Sequence, residues 1–254
     1  MAKIAVVMVP FLFSKRHREL ADKCIRSVRS SHEVDTIAIV NGIRSEADLT
    51  WLQGRFTHVE CNDTNILARA WNKGITRGLD LGAELVVVSN LDLEFHPLCL
   101  DNLLECSRAC PDAVAWCPSA WRDPSTFGYA ELTPEVTNGF LGACFAVNNR
   151  LFDTVGPFDE GFIPAYGEDA DMVRRTSLAG LRSATCRAAL VLDAERGTIQ
   201  GMFECETEDI QAAAAFLADL RGRITENDAR YIRKWGGKPG EENFIVPFNG
   251  EDRV

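Results

Sequence analysis

Short apolar runs alternate with stretches of helical periodicity through the first half of this 254-residue chain, and each run ends on a turn-forming or polar residue. Residues 4–9 (IAVVMV) are continuously apolar, the pattern of a strand buried on both faces. Ser14 stands where it would cap a helix over 15–30, in which Leu20, Cys24, Ile25 and Val28 recur at helical spacing. Strands follow at 36–40 (TIAIV), 57–61 (THVEC), 85–89 (LVVVS) and 113–118, and helices at 46–52, 65–81 and 98–109. Gly82 stops the second of these helices. Such alternation predicts an α/β fold with a mostly parallel sheet and right-handed crossovers. In sheets of this kind ligands sit outside the carboxyl ends of the strands. That rule singles out Pro10, Asn41-Gly42, Asn62-Asp63 and the run Ser89-Asn90-Leu91-Asp92.

The second half is less regular. Residues 119–138 mix Pro, Gly, Ser and Thr with large aromatics and read as a loop, with a lid over the site as its functional alternative. Residues 139–147 (GFLGACFAV) predict a strand with close backbone approach at its two glycines. Short helices are expected at 149–155 and 168–179, ended by Gly156-Pro157 and Gly180, and a strand over 183–193 closes the domain. The tail predicts two helices, 207–221 and 225–235, capped by Thr207 and Thr225. No internal repeat or low-complexity linker interrupts the chain, so residues 1–206 read as one domain in two halves, 1–97 and 98–206, with 207–254 as a helical extension packed on it.

Composition narrows the function classes. Apolar residues at 46% and charged residues at 25% argue for a packed globular core and against disorder. Lys plus Arg number 27 against 37 Asp plus Glu, so the net charge is −10, a poor match to phosphate-backbone binding or a polybasic membrane patch. No segment approaches the roughly 20 apolar residues of a spanning helix, and the first apolar run lacks the flanks of a signal peptide. The expected location is the cytoplasm. The nine cysteines, odd in number and without CxxC spacing, fit reduced, buried thiols. Cys106 and Cys110 share a helix face, and no histidine clusters with them as a metal site requires.

Three acidic groups carry candidate chemistry. Asp92, with Asn90 before it, follows the most β-branched strand, where a carboxylate suits a hard divalent cation; a turn or helix cap uses the same residues, and Glu94 is a spare carboxylate in that turn. Glu168-Asp169-Ala170-Asp171 opens a helix, which complements the helix dipole or supplies a general base. Asp169 and Asp171 lie about 200° apart on a helix and cannot both face one site, whereas Glu168 and Asp171 share a face. Asp193-Ala194-Glu195-Arg196 after the last strand is a second metal or phosphate locus or a charged turn. Arg69, Asn72 and Lys73 cluster on one helix face and meet either a nucleotide or solvent.

The order of these motifs resembles family 2 glycosyltransferases. VMVPF, VNG and ILARAWNKGITRGLDLGAELVVVSNLDLEF are similar to the family's nucleotide-sugar half. NGFLGACFAVNNRLFDTVGPFDEGFIPAYGEDADMVRRTSLAG is similar to its acceptor half, and the tail RYIRKWGGKPGEENFIVPF looks like that of rhamnosyltransferase-like bacterial and phage relatives. The resemblance implies a GT-A fold with a mixed central sheet and a nucleoside-diphosphate sugar donor, with UDP ahead of dTDP or GDP. It also implies Mn²⁺ or Mg²⁺ and inversion at the anomeric carbon. Carried over by position, it places Pro10 and Asn41 at the base and ribose, with Arg69 and Asn72 beside the nucleotide. Asn90 falls at the ribose and Asp92 on the metal. Asp169, supported by Glu168, becomes the general base, and Arg174 or Arg175 faces the diphosphate or supports the acid pair. Two departures stand out: the DxD-like motif begins with Asn90, and Asp193 stands where relatives often place a histidine metal ligand. The resemblance leaves the acceptor open among a glycan, a small molecule and a modified nucleobase. The competing readings are a degenerate nucleotide-sugar-binding module, which the lost first Asp favours, and a sugar nucleotidyltransferase. The latter is disfavoured because VPFLFSKRHR has no Gly-rich loop.

Overall fold

The computed structural model describes residues 2–10, 12, 15–41, 45–193 and 210–251, with side chains from 219 onward in the last segment. Ser14, Gly42 and Thr207, named above as caps or turn residues, lie outside the described residues. The chain runs β1 (Lys3–Met8), α1 (Lys15–Ser27), β2 (Glu33–Asn41), α2 (Glu46–Gln53), β3 (His58–Asn62), α3 (Leu67–Asp80), β4 (Leu85–Ser89), β5 (Leu93–Phe95), α4 (Cys99–Ala109) and β6 (Ala113–Trp121). It continues through β7 (Val136–Asn138), β8 (Cys144–Val147), α5 (Asn149–Thr154), α6 (Glu168–Leu178), β9 (Arg182–Asp193) and α7 (Ile210–Trp235).

The strands form one sheet in the order β3-β2-β1-β4-β8-β6-β9-β5, with β7 paired to β9. The first four strands are parallel, as the alternation predicts. The sheet as a whole is mixed, because β8 enters antiparallel between β4 and β6, and β5 and β7 pair antiparallel with β9. Beyond β4 only β6 and β9 pair parallel, so the sheet is mixed, as the resemblance implies, and not mostly parallel.

Layering explains the apolar runs. Along β1, Ile4, Val6 and Met8 enter one buried cluster with Leu100, Leu103 and Leu104 of α4, while Ala5 and Val7 enter another with Trp71 and Ile75 of α3. Both faces are covered, so every residue from Ile4 to Met8 is fully buried. The α3 helix lies close on β1 because Gly74 and Gly78, one turn apart, present no Cβ; a methyl at 74 would overlap Val7, and one at 78 would meet Ala5 and Val86.

Four local expectations are corrected. Residues 139–143 are not strand, since Cys144 N–H closes a turn on Leu141 O at 3.0 Å. The 119–138 segment is not one loop: β6 extends to Trp121, a 3₁₀ turn spans Phe127–Tyr129, and β7 follows. The tail helix is continuous through 222–225; Thr225 Oγ1 donates back to Arg221 O at 3.2 Å instead of capping a new helix, and Gly222 packs against nothing. Cys106 and Cys186 form a disulfide between α4 and β9, so the all-thiol expectation fails for this pair, and Cys106 does not partner Cys110.

Candidate active site

The carboxyl ends of β1, β2 and β4 open onto one cavity of about 470 Å³. Val9 and Pro10 leave β1, Asn41 ends β2, and Asn90, Leu91 and Asp92 leave β4 along its wall. Asn41 is held by Asn62 at the neighbouring strand end, whose Nδ2 donates to Asn41 Oδ1 at 2.8 Å. Asn90 is held by its backbone: its N–H donates to Ala143 O at 2.8 Å, and the buried Cys24 thiol donates to its carbonyl at 3.5 Å. Burial raises the Cys24 pKa, with the nearby Asp92 charge adding to it, so this donor keeps its proton.

Sheet register brings in the next carboxylate. Asp193, the last residue of β9, stands directly opposite Leu93 in the antiparallel β5–β9 ladder, one residue from Asp92, and both aspartates line the cavity. Their neighbour Glu94 does not join them. It sits in β5, opposite Leu192, 3.9 Å from Lys23 Nζ, so the expectation of a spare carboxylate in a turn is corrected.

The facing wall is the segment entering α6. Pro164, Ala165, Tyr166, Glu168 and Asp169 line the cavity. Tyr166 and Gly167 both have positive φ, 77° and 103°, and a Cβ at 167 would strike the Phe162 ring, so a glycine is needed to swing the chain into the helix. Asp169 Oδ1 accepts from the Ala170 N–H at 2.8 Å. Glu168 is 3% exposed and its Oε2 has no hydrogen-bond partner. Burial, reinforced by the Asp169 charge, pushes its carboxyl up to about 8.

Asp171 goes elsewhere. It is fully buried behind the cavity wall, accepting from Arg175 Nε, Trp235 Nε1 and Lys234 Nζ. The separation of Asp169 from Asp171 thus follows the helical angle. The grouping of Glu168 with Asp171 does not hold at the cavity, because a long side chain at the first helical position reaches back toward the helix N-terminus.

The cations and amide expected at the diphosphate lie apart from the cavity. Arg69 Nε donates to Glu160 Oε2 at 2.6 Å. The Asn72 amide brackets the backbone of Phe158, donating to its O at 2.9 Å and accepting from its N–H at 2.8 Å. Arg174 donates to Phe244 O at 3.0 Å, and Arg175 ties Asp171 to the carbonyls of Val155 and Pro157. These four residues join α3, α6, the 155–160 loop and the tail. Among the described residues, no lysine or arginine lines the cavity.

His17, Trp71 and Tyr166 are among the lining residues that the sequence reasoning did not single out as site residues. His17 is buried on α1 one turn before Leu20, Trp71 packs edge-on to Phe145 and Phe158, and Tyr166 is half exposed in the turn before α6. Only Trp71 carries a sequence signal, its place in the apolar stripe of α3.

The donor set was tested for a divalent ion. No cluster of three His, Cys, Asp or Glu side chains able to hold a metal occurs among the described residues. Two aspartates with further oxygens from a bound phosphate are the usual way a protein holds Mg²⁺ or Mn²⁺ with its substrate, and Asp92 and Asp193 fit that pattern.

No family model matches the chain, and no curated protein sequence matches it. Solved structures do. GalNAc-T7, solved with UDP, GalNAc and Mn²⁺, superposes with a TM-score of 0.59 at 13% identity, over 76% of this chain and 44% of that one. Residues 1–349 of S. aureus TarS superpose at 0.55 with 9% identity, over 80% of this chain and 63% of that one. The chain thus spans less than two thirds of the length of either neighbour. At these identities the likeness concerns the fold, which is the GT-A glycosyltransferase fold. No helix among the described residues is long and apolar enough to cross a membrane.

Proposed function

We propose that this chain is a metal-assisted glycosyltransferase that moves a sugar from a nucleoside-diphosphate sugar to an acceptor hydroxyl with inversion. The observation that carries the reading is the convergence on one cavity of the β-strand ends with Pro10, Asn41, Asn90, Asp92 and Asp193 on one wall and Glu168 and Asp169 on the other. UDP and Mn²⁺, present in the GalNAc-T7 structure, are the first donor base and ion to test. Residues 1–97 supply the donor side and 98–206 the acceptor side.

Pro10 and Asn41 border the base and ribose, with Asn90 at the ribose. Asp92 and Asp193 would hold the ion, which would offset the charge growing on the departing diphosphate. The charge balance supports that need: the described lining residues include four carboxyl groups and no lysine or arginine, a setting in which a cation would offset the charge of a diphosphate. Asp169 accepts the proton of the acceptor hydroxyl as its oxygen bonds the anomeric carbon and the carbon–oxygen bond to the diphosphate breaks, releasing nucleoside diphosphate. Glu168, whose carboxyl keeps its proton at neutral pH, serves beside it as a hydrogen-bond donor. The acceptor is a glycan, a small molecule or a modified nucleobase.

The test is thermal unfolding against UDP, dTDP, GDP and their sugars, with Mn²⁺ or EDTA, followed by release of nucleoside diphosphate from the sugar that binds. A ligand at about 100 times its Kd adds ~2.7 kcal/mol. For a chain of this size that is a rise of roughly 5–10 °C. A rise that needs both nucleotide and metal, followed by turnover, supports the reading. Binding without turnover leaves the binding-module alternative, and no rise with any nucleotide overturns both.

A further inference from the structure

The tail helix α7 takes no part in the chemistry above, yet its contacts surround the acidic wall. Asn227, Arg230, Tyr231, Lys234 and Trp235 follow the spacing i, i+3, i+4, i+7, i+8 and so form one helix face. Seven residues before Asn227 on the same face, Leu220 lines the cavity itself. All but Arg230 of the five are at least nine-tenths buried.

That face grips the segment from Asp159 to Asp171 at three levels. Asn227 clamps the backbone of the turn: its Oδ1 accepts from Ile163 N–H at 3.2 Å, and its Nδ2 donates to Ile163 O at 3.2 Å and Ala165 O at 2.8 Å. Arg230 and Lys234 hold Asp159, at 3.0 Å and 2.7 Å, and burial of that carboxyl is more than offset by the Lys234 ammonium together with the Gly161 N–H and Arg230, bringing it down to about 2. The Arg230 guanidinium also fills the space a side chain at Gly161 would need. Lys234 and Trp235 then reach Asp171, at 2.6 Å and 2.8 Å, while the Trp235 ring packs with Phe162 and Tyr231.

Two of these anchors bracket the acidic wall. Ala165 lies three residues before Glu168, and Asp171 lies two after Asp169 on the same helix. On a rigid helix, fixing the direction of Asp171 fixes that of Asp169, about 200° away. Between the anchors the backbone passes through positive φ at Tyr166 and Gly167, a conformation that persists where its surroundings over-determine it.

We propose that α7 is a positioning element for the reaction, in which Asn227 and Trp235 hold the 163–171 segment so that the Glu168 and Asp169 carboxyls stay at the cavity wall. The proposal rests on the glycosyltransferase reading for its catalytic consequence, but not for its structural one.

The experiment compares the wild-type chain with Asn227→Ala and Trp235→Phe. The second keeps an aromatic ring in the Phe162 and Tyr231 cluster and removes the indole N–H that donates to Asp171. Side-chain carboxyl ¹³C titration of Glu168, with Asp169 as its charged neighbour, is recorded for each, together with UDP–Mn²⁺ affinity and UDP release from UDP-sugars. Loosening the segment lets water reach Glu168, so its midpoint should fall by about one unit or more in both variants. Turnover should drop about tenfold or more while nucleotide affinity stays within about twofold. A Glu168 midpoint unchanged from wild type in the folded variants overturns the proposal, even if their thermal midpoints fall. If the wild-type chain neither binds UDP nor releases it, the transferase reading fails, and the titration still decides the role of α7.

Discussion

A methyl group added to Gly142 would stand 2.9 Å from Oδ2 of Asp169, so the carboxylate rests directly against a glycine of the opposing wall. The other oxygen is tied to the Ala170 N–H at 2.8 Å. Gly142→Ala therefore displaces the end of a short side chain, which costs little stability but moves the proposed base. A misplacement approaching 1 Å in a reacting group costs on the order of a hundredfold in rate. UDP release by Gly142→Ala should fall by at least about tenfold, with a thermal midpoint close to that of the wild-type chain. Unchanged turnover would remove Asp169 from the reacting groups.

Glu168 makes stability depend on pH in the direction opposite to most carboxylates. Its folded pKa, about 8, lies above the ordinary 4.5, so between these values the folded state holds a proton that the unfolded state has lost. Stability must fall as pH rises through that window, by an amount on the order of a few kcal/mol once pH exceeds 8. Glu168→Gln carries no titrating group at this position. Thermal midpoints recorded from pH 5 to 9 should show the wild-type chain losing ground steadily relative to Glu168→Gln; parallel curves would place Glu168 in contact with water.

Much of one cavity wall was legible in the sequence, because strands buried on both faces leave continuous apolar runs and the ligand rule then selects the residues at their ends. Pro10, Asn41, Asn90 and Asp92 all reach the cavity for that reason. The placement of Arg69 and Asn72 away from the cavity lining has a different origin. Both share a helix face, as their spacing implies, but Arg69 meets Glu160 and Asn72 meets Phe158 and Glu160, partners 86 to 91 residues along the chain. A polar helix face has the same local pattern whether a diphosphate or a distant carboxylate covers it. The antiparallel entry of β8 was equally hidden, since four apolar residues after a turn carry no sign of direction.

Asn72→Ala separates the two roles open to this residue, loop anchor and nucleotide contact. The substitution leaves the N–H and C=O of Phe158 without the amide that brackets them, at a cost of about 1–3 kcal/mol for each group left unsatisfied in a buried place. The Phe158 ring packs in the core against Trp71 and Phe145, so the loop carrying Glu160 loosens with it. The thermal midpoint should drop by roughly 2–4 °C for each kcal/mol lost. Nucleotide affinity in the presence of Mn²⁺, measured by calorimetry well below that midpoint, should match the wild-type chain. A selective loss of UDP affinity with no loss of stability would return Asn72 to the nucleotide.

Asp92 and Asp193 come from distant parts of the chain and are brought side by side by the pairing of Leu93 with Asp193 across the β5–β9 ladder. Either could serve a turn, and either could hold an ion, so the two roles must be separated by what each variant loses. If both carboxylates hold the ion, removing either would leave its charge and oxygen ligands incomplete. Asp92→Asn and Asp193→Asn should then each abolish most of the Mn²⁺-dependent part of the UDP thermal shift, and the double variant should do little more than either alone, since partners in one site are not additive. Their midpoints without ligand should stay near the wild-type value. If Asp193→Asn lowers the ligand-free midpoint and leaves the metal-dependent shift intact, Asp193 is a turn residue, and the ion rests on Asp92 and the substrate alone.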